Sequence, residues 1–227
     1  MHDATGLLAR SSSMTTPPKP HFGVIIPVKP TAHAKSRLSP LGDDVRQALV
    51  TAFAADTVTS ALASPLVDLV LVVTDDHRLA AELAALGAAV IPDGAAADLN
   101  ESLVQAAAEL VRRLPSVAVA ALCADLPALL PGDLTHALEV AAEHPTSFVA
   151  DASGVGTTLV AALGVEDFTP HFGPGSSSVH RAKGLHPIGE VEVPTMRHDV
   201  DTPEDLAAAL AMGVGSRTML VATGLRL

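Results

Sequence analysis

Three aspartates have the residue type and the spacing to bind a divalent metal ion. Asp125 follows a short apolar run and precedes a Leu-Pro pair, while Asp199 and Asp201 stand on either side of one valine. Alternate residues of an extended segment point to the same side, so Asp199 and Asp201 can bridge metal ions together. Because Mg²⁺ prefers one or two protein carboxylates completed by substrate phosphates, we interpret Asp125 as a metal ligand.

Two of these carboxylates also have a purely structural alternative. Asp125 could close a turn or cap a helix, although the run Leu-Pro-Ala-Leu-Leu-Pro separates it from the next predicted helix. Asp201 could instead stabilise the N-terminus of a helix that begins after Thr202, where the helix dipole favours negative charge. The position of Asp125 at the end of a predicted strand favours the metal-binding interpretation.

A loop with three cations follows the first apolar run. Lys29, Lys35 and Arg37 lie within nine residues, in a chain whose formal net charge is −11. Arginine can hold phosphate oxygens through two hydrogen bonds and lysine acts as a point charge, so the loop could bind a triphosphate. It has neither the glycines of a Walker A loop nor those of a Rossmann fingerprint. The alternative is a solvated surface loop with ordinary cations.

Two segments rich in small residues could bind an anion through backbone amides and hydroxyl groups. They are Gly-Val-Gly-Thr-Thr at 154–158 and Phe-Gly-Pro-Gly-Ser-Ser-Ser at 172–178. Glycine lets the backbone approach an anion closely, and Ser176 could open a short helix. A flexible surface loop is the equal alternative for both segments.

The predicted elements alternate between strands and helices. Apolar, β-branched runs predict strands at 22–28, 67–74, 88–91, 117–123, 147–150 and 157–163, with Val191 and Val193 in one more. Helical periodicity and capping residues predict helices at 43–63, 75–86, 100–114, 133–143 and 203–212. The pattern predicts an α/β fold in which a mostly parallel, mixed sheet has helices on both faces.

The ends of the predicted strands place the polar motifs together. Ligands of open parallel sheets bind beyond the carboxyl ends of the strands. Lys29, Asn100 and Asp125 each follow a predicted strand, so we expect them at the same edge of the sheet. Asn100 could contact the edge of a nucleotide base there, or it could be a plain helix N-cap.

The composition limits the class of protein. The chain has 227 residues, of which 48% are hydrophobic and 17% charged, and these values are typical of a globular protein. Its negative charge opposes binding to nucleic acid, and the sequence holds no apolar stretch long enough to span a membrane. The single cysteine fits a reducing, cytoplasmic location. We predict a disordered leader or upstream extension over residues 1–20 and one domain over 21–227.

Taken in order, the motifs resemble one known family. They read Ile-Pro-Val-Lys, Ala-Lys-Ser-Arg-Leu, Leu-Asn, Ala-Asp-Leu-Pro-Ala-Leu, Gly-Thr-Thr, Phe-Gly-x-x-Ser and Asp-Val-Asp-Thr-Pro-Glu-Asp-Leu, over about residues 22–215. This order is similar to that of the phosphoenolpyruvate or 2-phospho-L-lactate guanylyltransferases of coenzyme F-420 biosynthesis. The resemblance implies a Rossmann-like nucleotidyltransferase fold like that of the molybdenum-cofactor guanylyltransferases, with GTP as co-substrate and two Mg²⁺ ions.

The resemblance also implies three groups of site residues. The implied metal ligands are Asp125, Asp199 and Asp201. The implied nucleotide contacts, three on the phosphates of GTP and the last near guanine, are Lys29, Lys35, Arg37 and Asn100. Together with Asp125, the three cations would be the catalytic residues. The implied contacts to the carboxylate and phosphate of the acceptor are Thr157, Gly173 and Ser176.

The implied reaction transfers GMP from GTP to phosphoenolpyruvate and releases pyrophosphate. An acceptor phosphate is largely ionised at neutral pH, so the reaction requires no general base. 2-Phospho-L-lactate and 3-phospho-D-glycerate carry the same two charged groups and stay open as acceptors. The alanine-rich, aromatic-poor composition resembles the actinobacterial branch of the family and favours phosphoenolpyruvate.

Two other functions compete with this reaction. A transferase acting on a molybdopterin or a sugar phosphate would be favoured by a glycine-rich loop after the first strand, which this sequence lacks. A non-catalytic α/β nucleotide-binding module would have no need of the three aspartates. The partners expected are small molecules, and the sequence leaves the oligomeric state open, a dimer included.

Overall fold

The structure is a computed structural model that describes residues 20–29, 35–95, 98–189 and 192–225. The strands in this part of the chain are β1 Phe22–Pro27, β2 Val67–Val73, β3 Ala89–Ile91, β4 Ala118–Leu122, β5 Thr146–Ala150, β6 Thr157–Ala162 and β7 His186–Pro187. They form one sheet in the order β3-β2-β1-β4-β6-β5-β7.

Helices connect most of these strands. The α-helices of the described residues are α1 Asp43–Leu62, α2 His77–Ala85, α3 Leu99–Arg113, α4 Pro131–Ala141, α5 Ser176–Ala182, α6 Pro203–Met212 and α7 Ser216–Ala222. Short 3-10 helices occupy Ser36–Leu41, Val165–Asp167 and Pro194–Met196. The α7 helix corrects the expectation that the last helix ends at Met212. Because only Thr218 and Ala222 of α7 are buried, its sequence carries little apolar periodicity.

The sheet is mixed because one strand runs against the others. β1 pairs in parallel with β2 and β4, and β5 pairs in parallel with β7, whereas β6 is antiparallel to both β4 and β5. A connection of only six residues joins β5 to β6, which is too short for a parallel crossover. As a result, the first residue of β6 lies at the edge of the sheet where β4 ends.

Helices cover both faces of the sheet, as the alternating pattern predicts. Alternate residues of β1 point to opposite faces, so Val24 belongs to the apolar cluster with α1, α2 and α4, and Ile25 to the cluster with α3. The α3 helix packs closely against β1 at Gly23. A Cβ atom at this glycine would lie 2.4 Å from the side chain of Leu110, so the close packing requires glycine here.

Two predictions near the chain termini have different outcomes. The leader predicted over residues 1–20 lies outside the described residues, apart from Pro20. A strand is also predicted around Val191 and Val193. Val191 lies outside the described residues, and the assignment of Val193 to a strand is wrong. Val193 is buried and leads into the 3-10 helix that starts at Pro194, whose missing N–H suits the first position of a helix. Among the described residues, no helix is both long and apolar enough to cross a membrane.

Candidate active site

The three aspartates of the sequence analysis meet at the carboxyl end of β4. The backbone N–H of Val200 donates a hydrogen bond to the carbonyl oxygen of Asp125 over 3.0 Å. Val200 is fully buried in an apolar cluster with α1 and α6, which fixes the segment that carries Asp199 and Asp201. Each aspartate offers one carboxylate oxygen, and these three oxygens lie within 4.8 Å of one another.

The charges in this cluster repel one another. Burial and the neighbouring charge of Asp125 raise the pKa of Asp199 to about 7. The Oδ1 atom of Asp125 is buried and has no hydrogen-bond partner among the described residues. Crowded carboxylates with an unpaired buried oxygen favour a bound cation, and oxygen ligands of this kind suit a hard divalent metal. The residues present therefore fit a divalent metal ion.

Lys35 supplies a positive charge to the same cluster. Its ammonium group contacts the carboxylate of Asp125 and lies 2.5 Å from Oδ1 of Asp201. Burial alone would lower the pKa of Lys35, but the charges of and hydrogen bonds to these two aspartates raise it above its ordinary value. Lys35 is thus bonded to the carboxylates and is not the solvated cation of the surface-loop alternative.

A cleft of about 420 Å³ opens beside the aspartates, a volume within the usual range for small-molecule sites. Lys29 and Arg37 line it from the loop after β1, and both are exposed. The Nη1 atom of Arg37 lies 3.8 Å from Oδ2 of Asp201. Leu99 and Phe172 also line the cleft. The three predicted cations therefore face one cleft at the predicted edge of the sheet.

Asn100 anchors a wall of this cleft. Its Nδ2 donates to the carbonyl oxygen of Phe172 over 3.1 Å, and the N–H of Phe172 donates to Oδ1 over 2.7 Å. The N-cap of α3 is Asp98, whose side chain accepts from the N–H groups of Asn100 and Glu101. The N-cap alternative for Asn100 is therefore wrong, and its contact with guanine stays a prediction.

The two glycine-containing segments also come together. The N–H of Ser177 donates to the carbonyl oxygen of Val155 over 3.1 Å, and the N–H of Ser176 donates to that of Gly173. Gly173 and Gly175 have φ angles of 140° and 72°, conformations that side chains disfavour. The bond between Ser177 and Val155 holds the two segments together, although Val155 and Gly173 are exposed, and their binding of an anion stays a prediction.

His180, which the sequence analysis assigned no role, links Thr157 to this region. His180 is fully buried on α5, and its Nε2 accepts a hydrogen bond from the N–H of His171 over 3.1 Å. A neutral imidazole with an accepting Nε2 carries its proton on Nδ1, which lies 3.0 Å from Oγ1 of Thr157. The Thr157 hydroxyl accepts this bond, so it can donate a hydrogen bond of its own to another group.

Sequence reasoning missed His180 and Phe172 for different reasons. The partners of His180 lie on other elements, so no local spacing of residues could indicate them. Phe172 lies in a predicted loop beside Gly173. It is the one aromatic residue among the small residues of 172–178, and this contrast could have indicated a role in the cleft. Ser176 starts the helix that carries His180, the partner of Thr157, and bonds to Gly173, while the contact of these residues with an acceptor stays a prediction.

Known proteins share this fold and much of this sequence. The profile of the family described as "Guanylyl transferase CofC like" matches residues 22–221. A phosphoenolpyruvate guanylyltransferase from Thermomonospora curvata is 49% identical over 88% of this chain and 88% of its own. One from Streptomyces scabiei is 50% identical over 89% of this chain and 96% of its own. A crystal structure of a candidate nucleotide-diphospho-sugar transferase from Desulfovibrio desulfuricans has 17% identity and a TM-score of 0.67, and covers 89% of this chain and 94% of its own. At that identity the structural likeness shows the fold alone.

Proposed function

Because this chain belongs to the family of CofC-like guanylyl transferases, we propose that it transfers GMP from GTP to phosphoenolpyruvate, giving enolpyruvyl-diphospho-guanosine and pyrophosphate. The observation that carries the proposal is the meeting of Asp125, Asp199 and Asp201 beside a cleft lined by cations. A cleft of this kind suits a nucleoside triphosphate, whose phosphates need both cations and metal. A non-catalytic nucleotide-binding module would not require the carboxylates.

The triphosphate of GTP would lie along the cation-lined wall. Arg37 is exposed, and its guanidinium could form two hydrogen bonds with one phosphate, while Lys29 adds a point charge. Lys35 contacts the carboxylates, and its positive charge would also offset the negative charge of the nearby phosphates. The guanosine would extend toward Phe172 and Leu99, on the wall that Asn100 holds.

Asp125, Asp199 and Asp201 would hold Mg²⁺, which we propose binds as two ions. Bound Mg²⁺ would stabilise the entering phosphate oxygen and offset the negative charge that develops on the leaving pyrophosphate. The buried, unpaired Oδ1 of Asp125 supports its role as a ligand. The hydrogen bond between Val200 and Asp125 keeps the segment with the other two carboxylates beside Asp125, which limits the reorganisation that metal binding would need.

The acceptor would bind against Thr157, Gly173 and Ser176. The Thr157 hydroxyl accepts from His180 and can donate a hydrogen bond of its own, which suits a carboxylate or phosphate oxygen. An oxygen of the acceptor phosphate attacks the α-phosphorus of GTP, and the bond from that phosphorus to the bridging oxygen breaks as pyrophosphate leaves. Because the attacking oxygen is already ionised, no side chain needs to remove a proton. The side chains position the two substrates and offset their negative charges.

The relatives support one acceptor, and the composition supports a cytoplasmic enzyme with small-molecule substrates. The curated relatives at about half identity are named for phosphoenolpyruvate, which supports that acid over 2-phospho-L-lactate and 3-phospho-D-glycerate. The single cysteine favours a cytoplasmic location. The substrates are small molecules, and the acidic net charge disfavours a nucleic-acid partner.

A product analysis tests the proposal. The protein is incubated with GTP, Mg²⁺ and each of the three acids separately, and the guanylylated product is identified by mass spectrometry. We expect enolpyruvyl-diphospho-guanosine and one pyrophosphate per product with phosphoenolpyruvate, and no product without Mg²⁺. Product with only one of the other two acids would identify that acid as the acceptor in place of phosphoenolpyruvate. The absence of product with all three acids would refute guanylyl transfer.

A further inference from the structure

Thr57 bonds to the backbone next to Asp125 and is not among the residues that line the cleft. It belongs to α1 and is fully buried. Its hydroxyl donates a hydrogen bond to the carbonyl oxygen of Ala124 and accepts one from the N–H of Leu126, both over 3.2 Å. One side chain on a distant helix therefore holds the backbone on both sides of Asp125.

The backbone here needs such a partner because the sheet ends. β4 stops at Leu122, and the N–H of Cys123 makes the next backbone bond, to Thr158. Beyond it, the chain leaves the sheet while Leu126 stays fully buried. Buried backbone groups without partners are costly. A hydroxyl can donate one bond and accept another at the same time, whereas an aliphatic side chain of the same shape can do neither.

The neighbouring residue of α1 holds the same segment from another direction. Asp56 is buried, and its carboxylate accepts hydrogen bonds from the N–H groups of Arg217 and Thr218 at the start of α7. The N–H of Gly215, just before α7, donates to the carbonyl oxygen of Pro127 over 2.9 Å. One turn of α1 thus fixes the segment that follows β4 directly through Thr57 and indirectly through α7.

We propose that Thr57 is a positioning residue for guanylyl transfer, and that its hydroxyl sets the backbone on which the Asp125 carboxylate faces Asp199 and Asp201. Asp125 also bonds to Val200 through its own carbonyl oxygen, so a displacement of this backbone reaches the segment that carries Asp199 and Asp201. The inference rests on the proposed function for its catalytic consequence. Its structural consequence, the spacing of the carboxylates, concerns metal affinity and is independent of the substrates.

The test compares variants that keep or remove the hydroxyl. Thr57→Val retains the shape of the side chain and loses both hydrogen bonds, while Thr57→Ser retains the hydroxyl and loses a methyl group. Ser60→Ala is the matched control because Ser60 lies on the same helix, and its hydroxyl donates to Leu129 in the same segment, beyond Asp125. For each variant, kcat, the KM for GTP, the thermal midpoint and the dissociation constant of Mn²⁺ alone, by electron paramagnetic resonance, are measured.

We expect Thr57→Val to lower kcat by roughly 10- to 100-fold, because small displacements of a reacting constellation have effects of this size. Its KM for GTP changes little, its Mn²⁺ dissociation constant rises several-fold, and Thr57→Ser restores both kcat and Mn²⁺ binding. Ser60→Ala lowers the thermal midpoint while kcat and Mn²⁺ binding stay near those of the parent protein. If Thr57→Val does not fold, Thr57→Ala replaces it, since alanine also lacks the hydroxyl and cannot be too large.

Two results would overturn the inference. One is a folded Thr57→Val protein that binds Mn²⁺ and turns over like the parent. The other is a loss of activity in Thr57→Val and Ser60→Ala alike, in proportion to the lost thermal stability, which would make Thr57 a packing residue only. If the parent protein forms no guanylylated product, the proposed function fails by itself, and the Mn²⁺ measurements still decide whether Thr57 positions Asp125.

Discussion

The backbone N–H of Val200 and the carbonyl oxygen of Asp125 are joined by a hydrogen bond of 3.0 Å. This bond ties the segment after β4 to the segment before α6. It puts the carboxylates on either side of Val200 next to that of Asp125. The bond fixes the spacing of the two backbone segments, and the burial of Val200 in an apolar cluster holds the second segment in place.

Asp125→Asn is expected to lower kcat on the order of 10³-fold or more while the protein stays folded. The amide keeps the shape of the side chain but removes the charge that a metal ligand supplies. Steady-state rates and circular dichroism measure the two effects. Asp44→Asn, the same change at an exposed position of α1, serves as the control and should keep normal rates. Substantial turnover by Asp125→Asn would remove this residue from the metal site.

Lys35→Met is expected to destabilise the protein in the absence of metal by about 1–3 kcal/mol. The change leaves Asp125 and Asp201 without the ammonium group that offsets their charges. Added Mg²⁺ should then raise the thermal midpoint of the variant more than that of the parent, because the metal replaces the lost cation. Lys29→Met is the comparator, since Lys29 is exposed, and should change stability by less than about 0.5 kcal/mol. An equal response of both variants to Mg²⁺ would contradict the prediction.

Asn100→Ala is expected to raise the KM for GTP by about tenfold with a smaller effect on kcat. The change removes both hydrogen bonds to the backbone of Phe172, and Phe172 lines the cleft. Kinetics with GTP and with ATP separate two roles of Asn100. If it also contacts guanine, the preference for GTP over ATP falls, whereas an anchoring role alone leaves the preference unchanged. Gln105→Ala, at an exposed position of the same helix, is the control, and an unchanged KM in Asn100→Ala would refute both roles.

His180 makes the stability of the protein depend on pH in a defined window. Burial lowers the pKa of His180 from 6.5 to about 4, with smaller contributions from His171 and Lys183. The unfolded chain therefore binds a proton that the folded protein excludes, so stability falls as the pH drops below 6.5 toward 4. In His180→Gln this contribution disappears. The free energy of unfolding is measured in urea at pH 7 and at pH 5. We expect it to fall between these pH values by roughly 1–2 kcal/mol more in the parent than in His180→Gln. Equal losses would show that the side chain titrates normally.

The sequence by itself determined the types of the elements and much of the site. Apolar runs and helical periodicity depend on neighbouring residues, so they predicted six of the seven strands and the order of the major helices. The position of Asp125 after a buried strand follows from the same pattern. The rule that ligands bind at the carboxyl ends of parallel strands then predicted the edge where the cations and carboxylates meet.

Only the tertiary structure decided which side chains touch. The antiparallel direction of β6 brings Thr157 to the end of β4, and packing of α5 buries His180 beneath it. Lys35 pairs with the carboxylates, and Thr57 reaches the backbone beside Asp125 from a helix far away in sequence. These contacts join segments that have no local relationship. They depend on how helices pack on the sheet, and the periodicity of a single element carries no information about that packing.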